Sequence, residues 1–531
     1  ALLLLIACAN LANLLLTRAT ARTRELAMRM ALGSGTARIV RQVLTESLVL
    51  ALPGGAMGVL FAFLAITTLN GWKPLVLQSY PPLTLDLTTL GFSAGLTFLT
   101  ALIFGMAPAW TSGRIRIQEA LKSAGPVNAG SRTATRIRHI LVVTQLGVAL
   151  VLLISAGLLS RSFVKLATTD LGFSADNVLT LRLNLTGSRY AEPEKQIQFY
   201  IDVLERVKRL PQVKAAAFSS DLPLSGDDRF YSGAQFEIAG HPLPMAQRPQ
   251  AGITVVSREF FRTLEIPLRA GRLFDFEDTE HSRDNIIVNE AFAKKVFPAE
   301  NALYQRIVIG PNNPVSWRIV GIVGNIRGGQ VGAEPLPLIY RCLCQGGGTE
   351  LSRSGLLVRT TGDPHNAVPG VVGQILSVDR AEPVFDVVKT MDERLAAALA
   401  PRRFYLLLIG TFTVIAILLS AVGVFGVMSY LVTQRNREIG IRIAIGAQST
   451  RVLSLVLEES MILTSIGIVI GVTGAWGVTR YLNSMLYGVT ALDALTFVSM
   501  PILLILVSIF ASLIPAIRAV QIDPAIVLRE D

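Results

Sequence analysis

Hydropathy divides the chain into three stretches. Long uncharged apolar runs fill roughly the first 160 and the last 130 residues, and the residues between them alternate polar and apolar as globular sequence does. A bilayer core about 30 Å thick is crossed by about 20 helical residues rising about 1.5 Å each. Seven segments meet that need: 1–16, 43–69, 90–110, 140–159, 404–432, 452–478 and 497–517. They predict an α-helical membrane protein in which two apolar blocks flank one domain outside the lipid.

In the middle stretch the periods change. Residues 178–183 alternate as a strand, and 193–210 carry Ile197, Tyr200, Val203, Leu204 and Val207 at helical spacing before Pro211. Another strand pattern follows at 213–218, so this domain opens β-α-β and is expected to be an α+β layer.

The two apolar blocks resemble each other. Residues 24–34 align without a gap on 437–447 at an offset of 413, which pairs Arg24, Glu25 and Arg29 with Arg437, Glu438 and Arg442. The same offset pairs Arg38 with Arg451, Glu46 with Glu459, and Gly54-x-x-x-Gly58 with Gly467-x-x-x-Gly471. Such glycines have small surfaces that suit close helix packing. Pro108-Ala109 matches Pro515-Ala516, and 117–121 matches 522–526, at slightly smaller offsets. The predicted organisation is a first three-span module at 1–125, a linker with a lone span at 126–162, an outer domain at 163–403, and a second three-span module at 404–531. Ala1 aligns with Val414, ten residues into 404–432, so the first helix is expected to be cut. Symmetry then predicts one more span and one more outer domain upstream.

Composition fits this organisation: 51% hydrophobic and 16% charged residues, with a mean hydropathy of +0.51, exclude an ordinary soluble enzyme of this length. The net charge of +11 does not point to nucleic acid. Between Lys165 and Arg394 there are 26 basic and 27 acidic residues, leaving 23 basic against 11 acidic ones in the apolar blocks. They gather in alternate loops, after the first, third and fifth spans, as cytoplasmic segments do. The loops near 73–86 and 483–493 are nearly free of basic residues, which puts them outside with the large domain.

The loops at 24–34 and 437–447 lack Pro and carry Arg-Glu-x-x-x-Arg on one helical flank. Leu26, Met30 and Ile39, or Ile439, Ile443 and Val452, can line the other. Attraction to anionic lipid accounts for basic charge. It does not account for an acid at a fixed place or a Gly closing the helix. A docking protein partner is the better reading.

These repeated R-E-[LI]-[AG]-[MI]-R-x-A-[LI]-G-[SA] loops, the large domain after a lone span, and Pro515-Ala516-x-x-Ala519 near the end resemble the MacB/FtsX-type ABC permeases. The fused double module resembles the duplicated acidobacterial permeases of that family. In the middle, 257–261, Ile266-Pro267, Gly271-Arg272, 288–293, 320–324 and Pro337-x-x-Tyr340 resemble the MacB-type periplasmic core domain, which has a porter-like subdomain and a second inserted one. Glu265 stands where that pattern commonly has Gly, so a different local turn is expected; Arg272 and Asn289 read as turn and cap residues.

The resemblance implies a non-catalytic, multi-pass permease of the bacterial inner membrane with its large domain in the periplasm. Its loops resemble the coupling helix that seats in a cytoplasmic ABC ATPase dimer. The implied contacts are Arg24, Glu25, Arg29, Arg437, Glu438 and Arg442. No cofactor is implied in the chain itself; ATP acts through the partner ATPase. The bilayer is the other partner, with a periplasmic adaptor and an outer-membrane channel as further candidates. Motion of the outer domain would then drive efflux or export of a substrate whose identity the residues do not carry. The alternative is a ligand-sensing receptor that signals through the same loops.

Other chemistry finds little support. No Gly-x-x-x-x-Gly-Lys-Ser/Thr occurs, His139, His241, His281 and His365 are scattered, and the spans hold few ionisable groups of the kind a secondary transporter uses. Asp275, Glu277, Asp278 and Glu280 fit no Ca²⁺ loop and read as a solvated turn. Cys8 lies in a span; Cys342 and Cys344 read as too close along one strand for an easy mutual disulfide and as a poor metal site.

Overall fold

A computed structural model describes residues 2–21, 36–72, 81–113, 128–185, 188–225, 233–279, 284–310, 315–329, 331–346, 351, 353–380, 386–445, 448–483 and 486–521. The chain divides into two compact units, Ala1–Lys165 with Arg402–Asp531, and Leu166–Pro401.

The first unit is helical. Its elements are α1 (Leu2–Ala21), α2 (Thr36–Trp72), α3 (Leu87–Gly113) and α4 (Asn128–Ala167) from the first part of the chain. Later come α9 (Met391–Gln434), α10 (Asn436–Ala444), α11 (Ser449–Leu482) and α12 (Ala494–Val520). Among the described residues five helical segments are long and apolar enough to cross a membrane: Leu44–Gly71, Thr135–Ala167, Met391–Gln434, Ser449–Leu482 and Ala494–Val520. Leu2–Asn13 and Leu87–Thr100 are shorter apolar helices. The 44 residues of α9 measure about 66 Å, roughly twice what the lipid core needs.

Core formation in this unit centres on α4. Val142, Leu146, Leu150, Leu153, Ile154 and Leu158 are buried together with Val424, Val427, Met428, Val456, Leu463 and Ala475. Among the described residues many apolar side chains of the other helices face outward, Phe61, Phe92 and Phe510 among them, as they do when lipid supplies the apolar surroundings.

The second unit carries the α+β pattern in two parts. Strands β1 (Val178–Asn184), β2 (Val213–Ser219), β10 (Arg353–Thr360) and β11 (Asp386–Thr390) form an antiparallel sheet in the order β11-β1-β10-β2. Helices α5 (Pro193–Lys208) and α8 (Val368–Val378) connect β1 to β2 and β10 to β11, a split β-α-β arrangement. Their apolar faces bury Tyr200, Val203, Val207, Val371 and Ile375 on Leu181, Phe218 and Leu356 of the sheet.

Between β2 and β10 is an inserted part built of β3 (Gly233–Ile238), β4 (Gln250–Val256), β5 (Leu268–Gly271), β6 (Asn285–Asn289), β7 (Arg306–Ile309), β8 (Val315–Val323) and β9 (Leu338–Cys342). Their order runs β4-β3-β7-β8-β6-β9, and β9 pairs back on β4, closing a six-stranded ring. Closure removes free edges that would otherwise invite pairing with other chains. Two short helices, α6 (Phe260–Thr263) and α7 (Glu290–Val296), complete this part.

Three local expectations change. Glu265 keeps the turn that a Gly would make: its φ is +57°, and Glu265 N–H and Ile266 N–H donate to the carbonyls of Arg262 and Phe261. That is a Schellman closure of α6 with a non-Gly residue in the left-handed position. Asp278 is not part of a solvated turn; its side chain is fully buried, accepting from Arg272 at 2.6 Å and Asn285 at 2.8 Å. Cys342 and Cys344 do form a disulfide. The strand ends at Cys342 and residues 343–345 turn as a 3₁₀ helix, bringing the two Cα atoms to 5.1 Å, within disulfide reach.

Candidate functional site

The later Arg-Glu segment of the chain is visible as α10. Helix α9 stops at Gln434, Arg435 takes φ −101° and ψ 11°, and the chain restarts at Asn436. Arg435 pairs with Glu459 of α11 at 3.0 Å, which ties the start of α10 to the neighbouring helix. Beneath it Ile439 is buried and Ile443 packs on the same core. One face is therefore held, and the other is free to meet a partner.

On the exposed face Glu438 accepts a hydrogen bond from Arg442 one turn away. An exposed i,i+4 pair contributes only about 0.3–0.5 kcal/mol, so stability alone is a small return for this arrangement. Ile441 and Ile445 lie on the same face, 41% and 82% exposed. Two apolar residues one turn apart, beside an acid and a base, make the mixed surface that protein interfaces use.

Sorting the loop by charge leaves out Ile441 and Ile445. A signal for them is present in the chain: the 413 offset sets Met28 and Leu32 opposite them, apolar in both copies. Arg437 is on α10, but its side chain lies outside the described residues. Arg24, Glu25 and Arg29 also lie outside them.

The four glycines fall into two environments. A Cβ on Gly467 would stand 2.8 Å from Leu146 Cβ, and one on Gly471 would stand 2.8 Å from both the Gly147 carbonyl oxygen and Leu150 Cβ. These two glycines thus lie where α11 meets α4. Around Gly54 and Gly58 the same construction meets nothing within 4 Å. They line an apolar cavity of about 520 Å³ between α1, α2 and α3.

Polar side chains also meet inside the bundle. Asn10 of α1 and Gln145 of α4 both donate to the Leu419 carbonyl of α9, at 2.8 and 2.6 Å. All three helices are joined at one point. A Cβ on Gly423 would fall 2.5 Å from Gln145 Oε1 and 2.8 Å from Asn10 Oδ1, so Gly423 makes room for both amides. Reading the spans for acids and bases alone passes over these uncharged groups.

At the far end of α4 from Arg435, a second set of polar contacts reaches the turn between α11 and α12. Arg161 pairs with Asp493, Tyr487 N–H donates to Ser162 Oγ at 2.8 Å, and Lys165 donates to the Gly488 carbonyl. Asp493 also caps α12, accepting from Thr496 N–H and Oγ1. The Thr496 side chain, followed by burial in the opposite sense and by Arg161, leaves the Asp493 carboxyl below the usual carboxylate range. Asp86 caps α3 in the same way through Thr89 N–H, and its carboxyl is likewise lowered by Thr89.

In the second unit the ionic contacts serve the fold. Arg359 is nearly buried and donates to the carbonyls of Thr263, Asp176 and Ser174. Asn289 caps α7 through Phe292 N–H at 2.9 Å. Among the described residues no group of three or more His, Cys, Asp or Glu side chains gathers as a metal site.

Comparison with known proteins adds the following. The model of the FtsX-like permease C-terminal domain matches residues 1–118 and 410–524, and that of the MacB-like periplasmic core domain matches 141–340. A macrolide export ATP-binding/permease protein MacB of Agrobacterium fabrum is 27% identical over 301 residues, 53% of this chain and 44% of the relative. An uncharacterized ABC transporter permease, YvrN, of Bacillus subtilis is 26% identical over 287 residues, 52% of this chain and 69% of the relative. The chain thus spans less than half the length of that MacB relative. Among solved structures, the periplasmic region of MacB from Actinobacillus actinomycetemcomitans aligns at 15% identity and a TM-score of 0.29. It covers 43% of this chain and 95% of that one. The extracellular domain of the noncanonic ABC-type transporter YknZ aligns at 12% identity and a TM-score of 0.26, over 40% of this chain and 99% of that one.

Proposed function

The chain belongs to the MacB/FtsX-type ABC permeases, and from that premise we propose that it is a mechanical relay between a cytoplasmic ATPase and its own outer domain. The supporting observation is α10, a nine-residue helix clamped by Arg435–Glu459 and Ile439 while presenting Glu438, Ile441, Arg442 and Ile445. A helix held on one face passes a push into the bundle. A loosely tethered one would absorb it.

In this reading the chain has seven spans in two modules, with the loops at 24–34 and 437–447 in the cytoplasm of a bacterial cell and 163–403 in the periplasm. Helix limits favour the duplication: α2 and α11 start 413 residues apart, and α3 and α12 both have 27 residues and start 407 apart. The Asp86–Thr89 and Asp493–Thr496 caps are also 407 apart. Two loops suit an ATPase dimer. ATP acts on that partner, and the moved outer domain displaces a substrate outside the inner membrane, with an adaptor and outer-membrane channel as the route onward.

The test is a reconstituted permease–ATPase pair with charges reversed together at Arg24, Glu25, Arg437 and Glu438. Loss of permease-stimulated ATP hydrolysis is expected, since each desolvated charge pair broken at an interface costs about 2–5 kcal/mol. Unchanged ATPase binding and unchanged stimulation overturn the proposal.

A further inference from the structure

We propose that α1 and α9 form the surface on which the two modules recognise each other, and that an amide on one side meeting a glycine on the other makes this pairing specific for unlike partners. The proposal rests on the two-module reading, because the facing residues are each other's counterparts at the 413 offset.

Residues 3, 6, 10 and 13 of α1 follow one another at steps of three, four and three, the spacing of a seam between two helices. The 413 offset carries them to 416, 419, 423 and 426 of α9. Leu3, Ile6, Ala416 and Leu419 gather in one apolar cluster with Ala149 of α4. Further along, Asn10 Oδ1 lies 2.8 Å from a Cβ built on Gly423, and Asn13 Nδ2 lies 3.9 Å from one built on Gly426. Both amides thus stand beside their own counterparts, and the numbers rise together along the two helices. That is the parallel, in-register arrangement that two copies of one helix adopt.

The facing residues are nonetheless unlike. Apolar side chains do not choose partners in lipid, where the surroundings are as apolar as they are, so shape and hydrogen bonds decide. A single buried Asn at a seam position fixes register and partner in a helix pair. Here Asn10 donates to the Leu419 carbonyl at 2.8 Å, beside Gln145 of α4 at 2.6 Å. Two α1 surfaces would set Asn10 against Asn10, although a Cβ at the facing position already falls 2.5 Å from Gln145 Oε1 and 2.8 Å from Asn10 Oδ1. Two α9 surfaces would set Gly423 against Gly423, with no Asn amide for the Leu419 carbonyl. The unlike pair fills the space once and makes the bond. The partner that this surface fits is therefore the other module, and not a like helix of a second chain.

Exchanging the pair in the full chain tests the recognition. Asn10→Gly leaves Gly opposite Gly and is expected to lower the folding equilibrium about threefold, the usual worth of one polar contact between membrane helices. Gly423→Asn leaves Asn opposite Asn, and overpacking is expected to lower it about ten- to hundredfold. Asn10→Gly with Gly423→Asn restores one amide and one gap, with the carbonyl of Ile6, the counterpart of Leu419, as acceptor. This exchange is expected to recover about tenfold or more on Gly423→Asn alone, read by unfolding in mixed SDS micelles. Losses that multiply in the exchanged chain, or its failure to fold, overturn the proposal.

Thiol mapping separates this result from the two-module reading. With Cys8, Cys342 and Cys344 replaced, Asn13→Cys with Gly426→Cys is expected to lose both thiols to an internal disulfide while the chain stays monomeric. Leu11→Cys, at a position 36% exposed on α1, is expected to keep its thiol beside Gly426→Cys. No internal link between 13 and 426 overturns the facing of the two modules, and with it the two-module comparison. An internal link together with multiplied losses leaves the modules paired and overturns the amide–glycine specificity alone. Chain-to-chain dimers of Gly426→Cys by itself mean that α9 meets α9, and overturn it too. None of these readouts involves ATP hydrolysis, so they are independent of the relay.

Discussion

Replacing Gly471 and Gly58 by Ala puts the same methyl group into two environments that the local sequence makes equivalent. At Gly471 the methyl carbon would stand 2.8 Å from the Gly147 carbonyl oxygen, 2.8 Å from Leu150 Cβ and 2.9 Å from Leu150 Cδ2. Backbone on α4 cannot swing aside as a side chain does, so α4 and α11 must separate by a few tenths of an ångström. Overpacking of this kind costs about 1–3 kcal/mol. Ala returns about 0.8–1.0 kcal/mol of helix propensity relative to Gly. The net expectation is a loss of up to about 2 kcal/mol.

At Gly58 nothing lies within 4 Å, so only the propensity gain remains, and the chain is expected to gain up to about 1 kcal/mol. The assay is unfolding of the purified chain in mixed micelles of increasing SDS fraction, followed by helical circular dichroism. Opposite signs at the two positions support the packing described. Equal effects, or a greater loss at Gly58, refute it.

Two further predictions concern the second unit. Glu265→Gly removes a Cβ from a left-handed residue, relieving about 1–2 kcal/mol of strain against about 0.5–1 kcal/mol of added unfolded-state entropy. A rise in thermal stability of about 0.5–1 kcal/mol is expected, and a drop contradicts the turn. Burial pushes the Asp278 carboxyl up, but Arg272, the Asp275 N–H and Asn285 outweigh it and hold the folded pKa below the ordinary value. Its stabilisation is therefore complete above about pH 4 and lost as pH falls through the depressed folded pKa. Asp278→Asn is expected to cost about 2 kcal/mol at neutral pH and to flatten the acid limb of the unfolding profile, whereas an unchanged acid limb refutes the assignment.

Much of the architecture was legible in the chain. Strand β1 and helix α5 sit where alternation and 3.6-residue spacing put them, since both patterns report which face of an element is buried. The Asn289 cap was readable for the same local reason. The closed ring was not, because pairing β4 with β9 joins residues more than 80 positions apart and neither strand's pattern names its neighbour. Asp278 escapes a sequence reading because an acidic cluster looks solvated until the fold brings Arg272 and Asn285 onto one member of it.

The sequence by itself determined the apolar segments and the membrane character, and it carries the self-alignment at an offset of 413 and the Arg-Glu pattern, because hydropathy, charge and spacing are properties of a residue and its near neighbours. Tertiary structure decided how equivalent residues differ. Gly54-x-x-x-Gly58 and Gly467-x-x-x-Gly471 are the same signal in the chain, yet one pair borders a cavity and the other presses on α4. Close packing is a relation between two surfaces, and the second surface is supplied by a helix more than 300 residues away.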